Sequence, residues 1–269
     1  MLYLLLLLLL PCYAYDENIA KQAIYLSQAS YCVSSVDQWN CPTCDPSVTL
    51  EYVVEENGSQ AIQGFDSTTN TIFTAFRGSS NIQNWIENIQ VKKIAPYTNS
   101  SIEVEKGFYK AYNLIKPQII ENLGVLQNKY KTKQLFITGH SLGAAMGTLL
   151  GYDIVTSFPE YDIKYFVNFG SPRVGNELFV DNFHSYDITS YRITHYYDIV
   201  PHVPEEFLGY LHISNEIWYN EENTEYKICD DTNGEEDDTC SNSCAPLHCT
   251  STKDHLNYLN VKMGNDYCI

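Results

Sequence analysis

A serine between two glycines is the strongest candidate for chemistry in this sequence. Ser141 is the centre of Gly-His-Ser-Leu-Gly (residues 139–143), which follows a short apolar run at 134–138 and precedes a segment rich in small residues at 142–155. This order predicts a strand, a tight turn and a helix, the setting that presents a nucleophilic serine in many hydrolases. The backbone N–H of Leu142, at the helix start, could then face a developing oxyanion. The alternative is an ordinary glycine-rich turn.

A serine hydroxyl becomes a nucleophile when a base takes its proton, and a third group orients that base. In hydrolases with this turn, the acid and then the histidine follow the serine along the chain. Asp198 comes directly after the segment 191–197, where a strand should end, and is preferred as the acid over Asp187, which precedes that segment. His255 is preferred as the base, because a late loop could return it to Ser141. The other histidines after the serine are His184, His195, His202, His212 and His248.

The segments that must position these residues alternate between strand-like and helix-like patterns. Asp16 can cap the first helix, and Asn57-Gly58 is a hairpin turn between two predicted strands, 49–56 and 60–65. Further along, the patterns predict a strand at 71–76, a helix at about 107–130, strands at 134–138, 163–169 and 191–196, and a helix at 142–155. Pro117 either kinks the long helix or begins a second one. The alternation predicts a single α/β domain with a mostly parallel central sheet and helices on both faces.

The first fourteen residues are expected to be a signal peptide. The apolar run Leu2–Leu10 is too short for a bilayer, which needs roughly 20 residues, and a small residue, Ala14, follows it. We expect cleavage after Ala14, which leaves residues 15–269 as the mature domain. An uncleaved anchor is the alternative, since no lysine or arginine precedes the run. No later segment reaches transmembrane length, so no stable membrane span is expected.

The charge of the chain limits its partners. With a formal net charge of −17, the protein lacks the basic footprint that nucleic acids require. Docking on anionic membranes by charge is also disfavoured, so contact with lipid would have to be hydrophobic. Residues 216–238 hold ten acidic residues and one base, Lys227. A solvated loop or hairpin explains this segment, and a calcium site is the alternative, although no EF-hand spacing is present.

The cysteines and two short asparagine motifs agree with export. Of nine cysteines, Cys12 falls in the signal peptide, and the even number that remains indicates disulfides, with about 105 possible pairings. The remaining cysteines are Cys32, Cys41, Cys44, Cys229, Cys240, Cys244, Cys249 and Cys268. Asn57 and Asn99 stand in acceptor patterns for N-glycosylation. We expect the last fifty residues, which are acidic and rich in cysteine, to be irregular and held by disulfides rather than by burial.

Five ordered motifs resemble class 3 lipases, the fungal triacylglycerol lipase type. They are Thr74–Ser79 (TAFRGS), the pentapeptide around Ser141, Phe169–Asn176 (FGSPRVGN), His195–Pro201 (HYYDIVP) and Asp254-His255. The resemblance spans nearly the whole mature chain. It implies an α/β-hydrolase fold with Ser141, Asp198 and His255 as the catalytic triad. It also implies that Ser79 supplies an oxyanion-hole donor beside the N–H of Leu142.

The segment after Ser79 carries an apolar stripe. In residues 81–90, the side chains at spacings i, i+3, i+4 and i+7 of a short helix are Ile82, Trp85, Ile86 and Ile89. A core-facing amphipathic helix is the ordinary explanation. The resemblance implies a lid instead, because the family carries its lid directly after the oxyanion loop, and an apolar lid face can cover an apolar cleft in water. Feruloyl esterases of this fold tend to be more polar here, so the stripe favours acyl-lipid substrates.

The resemblance also implies two disulfides, Cys32–Cys268 and Cys41–Cys44. It leaves open the pairing of the four remaining cysteines, which are Cys229, Cys240, Cys244 and Cys249. A zinc site made from these cysteines with His248 is the alternative, but an oxidising compartment favours disulfides. We therefore expect neither a metal nor a cofactor.

The expected activity is hydrolysis of carboxylic esters by a secreted serine enzyme. The favoured substrate is triacylglycerol at an oil–water interface, cleaved through an acyl-enzyme on Ser141. Phospholipase A1 or feruloyl-type esterase activity is the alternative within the same fold. A catalytically inactive secreted binding protein is the alternative of another class, and the complete set of Ser141, Asp198, His255 and the oxyanion loop argues against it.

Overall fold

The structure is a computed structural model that describes residues 15–89, 91–186, 188–213, 215–230, 236–245 and 248–268. The proposed signal peptide, residues 1–14, and the rival acid Asp187 lie outside these ranges. The described chain begins with a helix, α1 (Glu17–Cys32), whose first turn is capped by the Asp16 side chain, as predicted.

A β-meander follows and forms one edge of the sheet. Its strands are β1 (Val48–Glu56), β2 (Ser59–Asp66) and β3 (Thr71–Phe76), which pair antiparallel in that order. Asn57 and Gly58 join the first two with φ of 50° and 86°, the positive values that a type I′ hairpin turn needs at both central positions. The predicted hairpin and third strand are confirmed.

The middle of the chain alternates helices and strands. In chain order the elements are α2 (Ile82–Asn88), β4 (Lys93–Ile94), β5 (Val104–Glu105), α3 (Lys106–Tyr130), β6 (Gln134–His140), α4 (Leu142–Ser157), β7 (Asp162–Phe169), α5 (Glu177–His184) and β8 (Ser190–His195). Pro117 lies inside α3, so the long segment is one helix and not two. The predicted strands and helices of this region are confirmed, and α5 is an additional helix that the sequence patterns did not indicate.

The C-terminal segment is less irregular than the sequence predicted. Its elements are β9 (Glu216–Tyr219), β10 (Tyr226–Ile228), α6 (Thr252–His255), β11 (Asn257–Tyr258) and β12 (Val261–Lys262). Strand β9 pairs parallel to β8, and β10 pairs antiparallel to β9, so both extend the central sheet. The hairpin expected within residues 216–238 is present as β9 and β10, whereas the expectation that the last fifty residues are irregular is wrong for β10, β11 and β12, which pair as strands.

The central sheet has eight strands in the order β1-β2-β3-β6-β7-β8-β9-β10. The four pairings from β3 to β9 are parallel, and the three at the edges are antiparallel. This agrees with the predicted mostly parallel α/β sheet. The carboxyl ends of the parallel strands meet at one edge, where functional residues of such sheets usually lie.

Helices cover both faces of the sheet, as predicted. Helix α1 packs on one face through Ala23 and Ile24, against a core that includes Phe73 and Phe136. Helices α3, α4 and α5 share the other core, which includes Ile72, Leu135 and Ile137 from the strands. Within the described ranges, no helix is both long and apolar enough to cross a lipid bilayer.

Candidate active site

Ser141 stands at the turn between β6 and α4 in a strained backbone conformation, with φ of 61° and ψ of −129°. Such a conformation is costly for a residue other than glycine and is found at functional turns. The neighbouring glycines explain the spacing of the motif. A Cβ on Gly139 would lie 2.3 Å from the carbonyl oxygen of Gly143, and one on Gly143 would lie 2.2 Å from that of Phe76. Only glycine lets strand and helix approach this closely.

The predicted acid and base are in direct contact. Asp198 follows β8, and its Oδ2 lies 2.8 Å from Nδ1 of His255, the last residue of α6. Both residues are buried, with exposed fractions of 2% and 0%. The other carboxylate oxygen accepts the backbone N–H of Val200 at 2.8 Å, and Oδ2 also accepts the hydroxyl of Tyr258.

The balance of burial and partners keeps Asp198 ionised. Burial raises the pKa of its carboxyl group, but the His255 ring, the Tyr258 hydroxyl and the Val200 N–H together more than offset this and hold the pKa below its usual range. A carboxylate so placed fixes the tautomer and orientation of the imidazole, and it stabilises the imidazolium that forms when the base takes a proton.

Ser141 and His255 line the same cavity of about 110 Å³. Two atoms facing this site, the Ser141 Oγ and the His255 Nε2, are buried and have no hydrogen-bond partner among the described residues. Buried polar atoms are seldom left unpaired unless a function uses them. The hydroxyl and the free ring nitrogen are therefore the reactive groups available to a substrate in this cavity.

The residues that carry the two predicted oxyanion donors lie next to Ser141 and its cavity. Ser79 follows β3 and lines the catalytic cavity, and Leu142 is the first residue of α4. A helix leaves its first N–H groups without an intrahelical acceptor, so the Leu142 N–H is free to bind an oxyanion. The Ser79 hydroxyl donates to the carbonyl of Asn81 at 3.3 Å, which holds the loop that carries the Ser79 backbone N–H.

The predicted lid residues form a short helix beside the cavity. Asn81 caps α2, all four apolar side chains of the stripe are half-buried, and Ile89 lies just past the helix end. Trp85 stacks on Phe108 of α3 with ring centroids 5.9 Å apart. Ile82 reaches the catalytic cavity, whereas Trp85 and Ile89 line a second groove of about 460 Å³. Leu142 and Phe108 also line this groove, together with the charged residues Glu105, Lys106 and Lys110, so one wall of it is apolar.

All eight predicted cysteines form disulfides. The pairs are Cys32–Cys268, Cys41–Cys44, Cys229–Cys240 and Cys244–Cys249. The zinc alternative therefore has no free thiolate among these residues. The two asparagines of the predicted glycosylation motifs, Asn57 and Asn99, are exposed, and their glycosylation stays a prediction.

Three residues of the site escaped the sequence reasoning. Tyr258 bonds to Asp198, while Tyr31 lines the cavity and bonds to His140, the residue before Ser141. The only sequence feature that connects Tyr258 to the site is its position three residues after His255. Because the chain has 22 tyrosines, a tyrosine near a candidate histidine is too common to indicate a role. Tyr31 comes from α1, more than a hundred residues earlier in the chain, so no local pattern could connect it to the site.

Comparisons with known proteins identify the family. The sequence profile described as lipase (class 3) matches residues 73–208. The lipase of Rhizomucor miehei is 30% identical over 264 residues, which cover 93% of this chain and 71% of that protein. A solved structure of the triacylglyceride lipase from the same organism has a TM-score of 0.83 at 29% identity and covers 94% of this chain and 98% of that chain.

Two further relatives agree. Lipase II of Rhizopus niveus has a TM-score of 0.86 at 28% identity, and the match covers 95% of this chain and 98% of that chain. Secreted mono- and diacylglycerol lipase A of Penicillium cyclopium is 29% identical over 193 residues, which are 70% of this chain and 62% of that protein. The resemblance and the fold class inferred from the sequence are thus confirmed. The chain belongs to the class 3 lipases and is a carboxylic ester hydrolase of the α/β-hydrolase fold.

Proposed function

We propose that this protein is a secreted triacylglycerol lipase that releases fatty acids through an acyl-enzyme on Ser141. The observation that carries the proposal is the arrangement of His255. Its Nδ1 is bound to the Asp198 carboxylate at 2.8 Å, and its unpaired Nε2 belongs to the cavity that Ser141 lines. Ser141 Oγ and His255 Nε2 are not hydrogen-bonded to each other in this structure, and acyl transfer requires that they come within hydrogen-bond reach when substrate binds.

In the acylation step, His255 Nε2 takes the proton of the Ser141 hydroxyl while Oγ attacks the ester carbonyl carbon. The carbonyl oxygen becomes an oxyanion, which the backbone N–H groups of Ser79 and Leu142 bind. Losing one such donor typically costs about 3 kcal/mol of transition-state stabilisation. The intermediate collapses when the C–O bond to the alcohol breaks and His255 gives its proton to the leaving oxygen.

In the deacylation step, a water molecule replaces the alcohol. His255 takes a proton from this water, the hydroxide attacks the acyl carbon, and the same two N–H groups bind the second oxyanion. The bond to Ser141 Oγ then breaks, the serine recovers the proton from His255, and the fatty acid leaves. Asp198 stays ionised throughout and stabilises the imidazolium in both steps.

An apolar wall beside the site supports a long-chain ester as substrate. The groove of about 460 Å³ has four apolar side chains on its walls, next to the charged residues Glu105, Lys106 and Lys110, and this wall offers an acyl chain a place to lie; the apolar side chains are Trp85, Ile89, Phe108 and Leu142. Ser141 is only 1% exposed, and Ile82 of α2 lies on the cavity. We therefore assign α2 as a lid that must move for an emulsified substrate to enter.

We also propose that the protein is exported and acts at an oil–water interface. The apolar run at the N-terminus and the four disulfides support a chain that enters an oxidising compartment, with cleavage after Ala14. A relative from Penicillium cyclopium is named as secreted. A net charge of −17 leaves hydrophobic contact as the means of binding lipid.

Partial glycerides are the second candidate substrates. The Penicillium cyclopium relative is named a mono- and diacylglycerol lipase, whereas the Rhizomucor miehei relative is named a triacylglyceride lipase. Phospholipids and feruloyl esters are the remaining alternatives within the fold, and the charged side chains of Glu105, Lys106 and Lys110 on the groove make their direct measurement necessary.

A substrate panel tests the proposal. Fatty-acid release is followed from emulsified triolein, diolein and phosphatidylcholine and from dissolved methyl ferulate, with Ser141→Ala as the background control. We expect the highest kcat/KM on triolein and none above background for Ser141→Ala. Turnover of diolein without triolein would favour the second candidate. Absence of triolein and diolein turnover, with activity on phosphatidylcholine or methyl ferulate, would overturn the lipase proposal.

A further inference from the structure

A chain of buried hydrogen bonds runs behind the nucleophile and starts at Tyr31. The Tyr31 hydroxyl lies 2.8 Å from Nδ1 of His140, and Nε2 of His140 lies 2.8 Å from the backbone carbonyl oxygen of His255. The rings of His140 and His255 also lie against each other, with centroids 4.4 Å apart and planes tilted by 30°. Neither Tyr31 nor His140 has a place in the acyl-transfer steps described above.

The chemistry of the bonded groups determines which atom donates in each of these two hydrogen bonds. The His255 carbonyl can only accept, so Nε2 of His140 must carry a hydrogen and donate it. His140 is neutral, because burial and the neighbouring His255 lower the pKa of its imidazole to about 3. The remaining nitrogen, Nδ1, is therefore an acceptor, and the Tyr31 hydroxyl must be its donor.

The same hydroxyl also touches the loop that carries the proposed oxyanion donor. A Cβ on Gly78 would lie 2.1 Å from the Tyr31 hydroxyl oxygen and 2.6 Å from the His140 carbonyl oxygen, so backbone and phenol are in close contact there. Burial raises the pKa of Tyr31, and the Gly78 N–H partly offsets this by favouring the oxygen's negative charge. Ser79 is the next residue after this contact.

We infer that Tyr31 and His140 are positioning residues that couple the base, the nucleophile and the oxyanion loop. Asp198 holds the ring of His255 from one side, and His140 holds its main-chain carbonyl from the other. Because His140 is bonded covalently to Ser141, a displacement of the base would also displace the nucleophile. This inference rests on the proposed function, since it assigns a role relative to Ser141 and His255.

Removing the Tyr31 hydroxyl takes away one of the two hydrogen bonds that select the tautomer of His140, because only the His255 carbonyl then favours a proton on Nε2. In molecules that carry the proton on Nδ1 instead, the lone pair of Nε2 faces the lone pairs of the His255 carbonyl oxygen, and the two repel each other. The base would then lose its main-chain anchor while its bond to Asp198 remained. Small displacements of reacting groups can cost about a hundredfold in rate.

The test compares Tyr31→Phe with Tyr112→Phe on a soluble ester such as p-nitrophenyl butyrate. Tyr112 is a matched control, because its buried hydroxyl also donates one hydrogen bond, to Asp153 at 2.7 Å, but on α3 and away from the cavity. We expect kcat of Tyr31→Phe to fall roughly 10-fold to 100-fold, with KM changed by no more than about twofold. Tyr112→Phe should lower the melting temperature and leave kcat unchanged.

A measurement on the unaltered protein gives the second readout. The ¹⁵N chemical shifts of His140 should show a neutral ring protonated at Nε2 from pH 5 to pH 8, and in Tyr31→Phe a fraction of the ring protonated at Nδ1 should become detectable. An Nδ1-protonated or charged His140 would overturn the inference even if Tyr31→Phe failed to fold. Unchanged kcat in Tyr31→Phe, or an equal loss in Tyr112→Phe, would also overturn it. Activity of Ser141→Ala would instead overturn the proposed function, so the two failures are distinguishable.

Discussion

The Nδ1 atom of His255 lies 2.8 Å from Oδ2 of Asp198, although the two residues are 57 positions apart in the chain. Both side chains are buried, and the carboxylate has two further donors, the Tyr258 hydroxyl and the Val200 N–H. A buried charge with this many partners is held in one orientation, and it holds the imidazole in turn.

Replacing Asp198 with asparagine should lower kcat by roughly 10³-fold to 10⁴-fold, because the amide no longer stabilises the imidazolium and favours the wrong tautomer of His255. Steady-state rates on p-nitrophenyl butyrate measure the loss. Asp187→Asn is the matched control, since Asp187 was the rival acid in the sequence, and it should keep nearly wild-type activity. The opposite pattern, with Asp187→Asn impaired and Asp198→Asn active, would reassign the acid.

Replacing Gly170 with alanine should remove most activity. Gly170 has φ of 51°, and a Cβ there would lie 2.9 Å from Asp198 Oδ2, 2.9 Å from His255 Cε1 and 2.8 Å from the Tyr258 hydroxyl. We expect a fall in kcat/KM of about a hundredfold or more, since the acid–base pair must shift. Gly58→Ala is the control: it also has positive φ, at 86°, but no atom within 4 Å. It should lose stability by about 1 kcal/mol and keep full activity. Equal activity in the two variants would contradict the prediction.

Replacing Trp85 with serine tests the lid. Its indole stacks on Phe108 with centroids 5.9 Å apart and lines the apolar wall of the groove, so serine removes apolar surface that should contact lipid when α2 moves. We expect activity on emulsified triolein above substrate saturation to fall roughly tenfold or more. Activity on dissolved p-nitrophenyl acetate, measured with the same preparation, should change little. Unchanged activity on the emulsion would show that α2 is an ordinary core-facing helix.

Stability should decrease as the pH falls from about 6.5 towards 4. Burial lowers the pKa of His140 to about 3, that of His202 to about 4, and that of His212 well below its usual range. The unfolded chain therefore binds more protons than the folded one in this window, and each histidine contributes roughly 1.4 kcal/mol per pH unit. This stability is fully present above the unfolded pKa of about 6.5 and is lost at lower pH.

Urea unfolding at pH 7.0, 5.5 and 4.5 measures this dependence. The His212→Asn variant is measured alongside the wild type. It lacks one of the titrating groups, so its free energy of unfolding should change less steeply with pH. A free energy of unfolding that stays constant or rises between pH 7.0 and 4.5 would contradict the account of the buried histidines.

The parts of the site that depend on neighbouring residues could be predicted from the sequence. The turn at Ser141 is determined locally. Gly139 and Gly143 are needed there because strand and helix pack so closely that neither position has room for a Cβ atom. Asp198 was found because it follows a strand whose parallel neighbours end at the same edge of the sheet. The pattern of small and apolar residues likewise located α4 to within two residues at its end.

Features that depend on distant contacts could not be predicted in this way. The place of strand β9 in the central sheet was missed because it begins with an acidic residue, yet Glu216 is buried in an ion pair with Arg192 at 3.3 Å and accepts the Thr194 hydroxyl at 2.5 Å. His255 was one of several candidate bases until the resemblance was considered, because its position depends on the whole C-terminal segment. Tyr31 enters the site only through the packing of α1 on the sheet.

The most direct test of the central claim is covalent labelling of Ser141. The intact protein is incubated with a serine-directed alkyl phosphonate, and the adduct is located by mass spectrometry while esterase activity is followed in the same sample. We predict one adduct per molecule, on the peptide that contains Ser141, with activity lost in proportion to labelling and no adduct in Ser141→Ala. An active protein that carries no adduct on Ser141, or a Ser141→Ala variant that still hydrolyses the ester, would contradict the account.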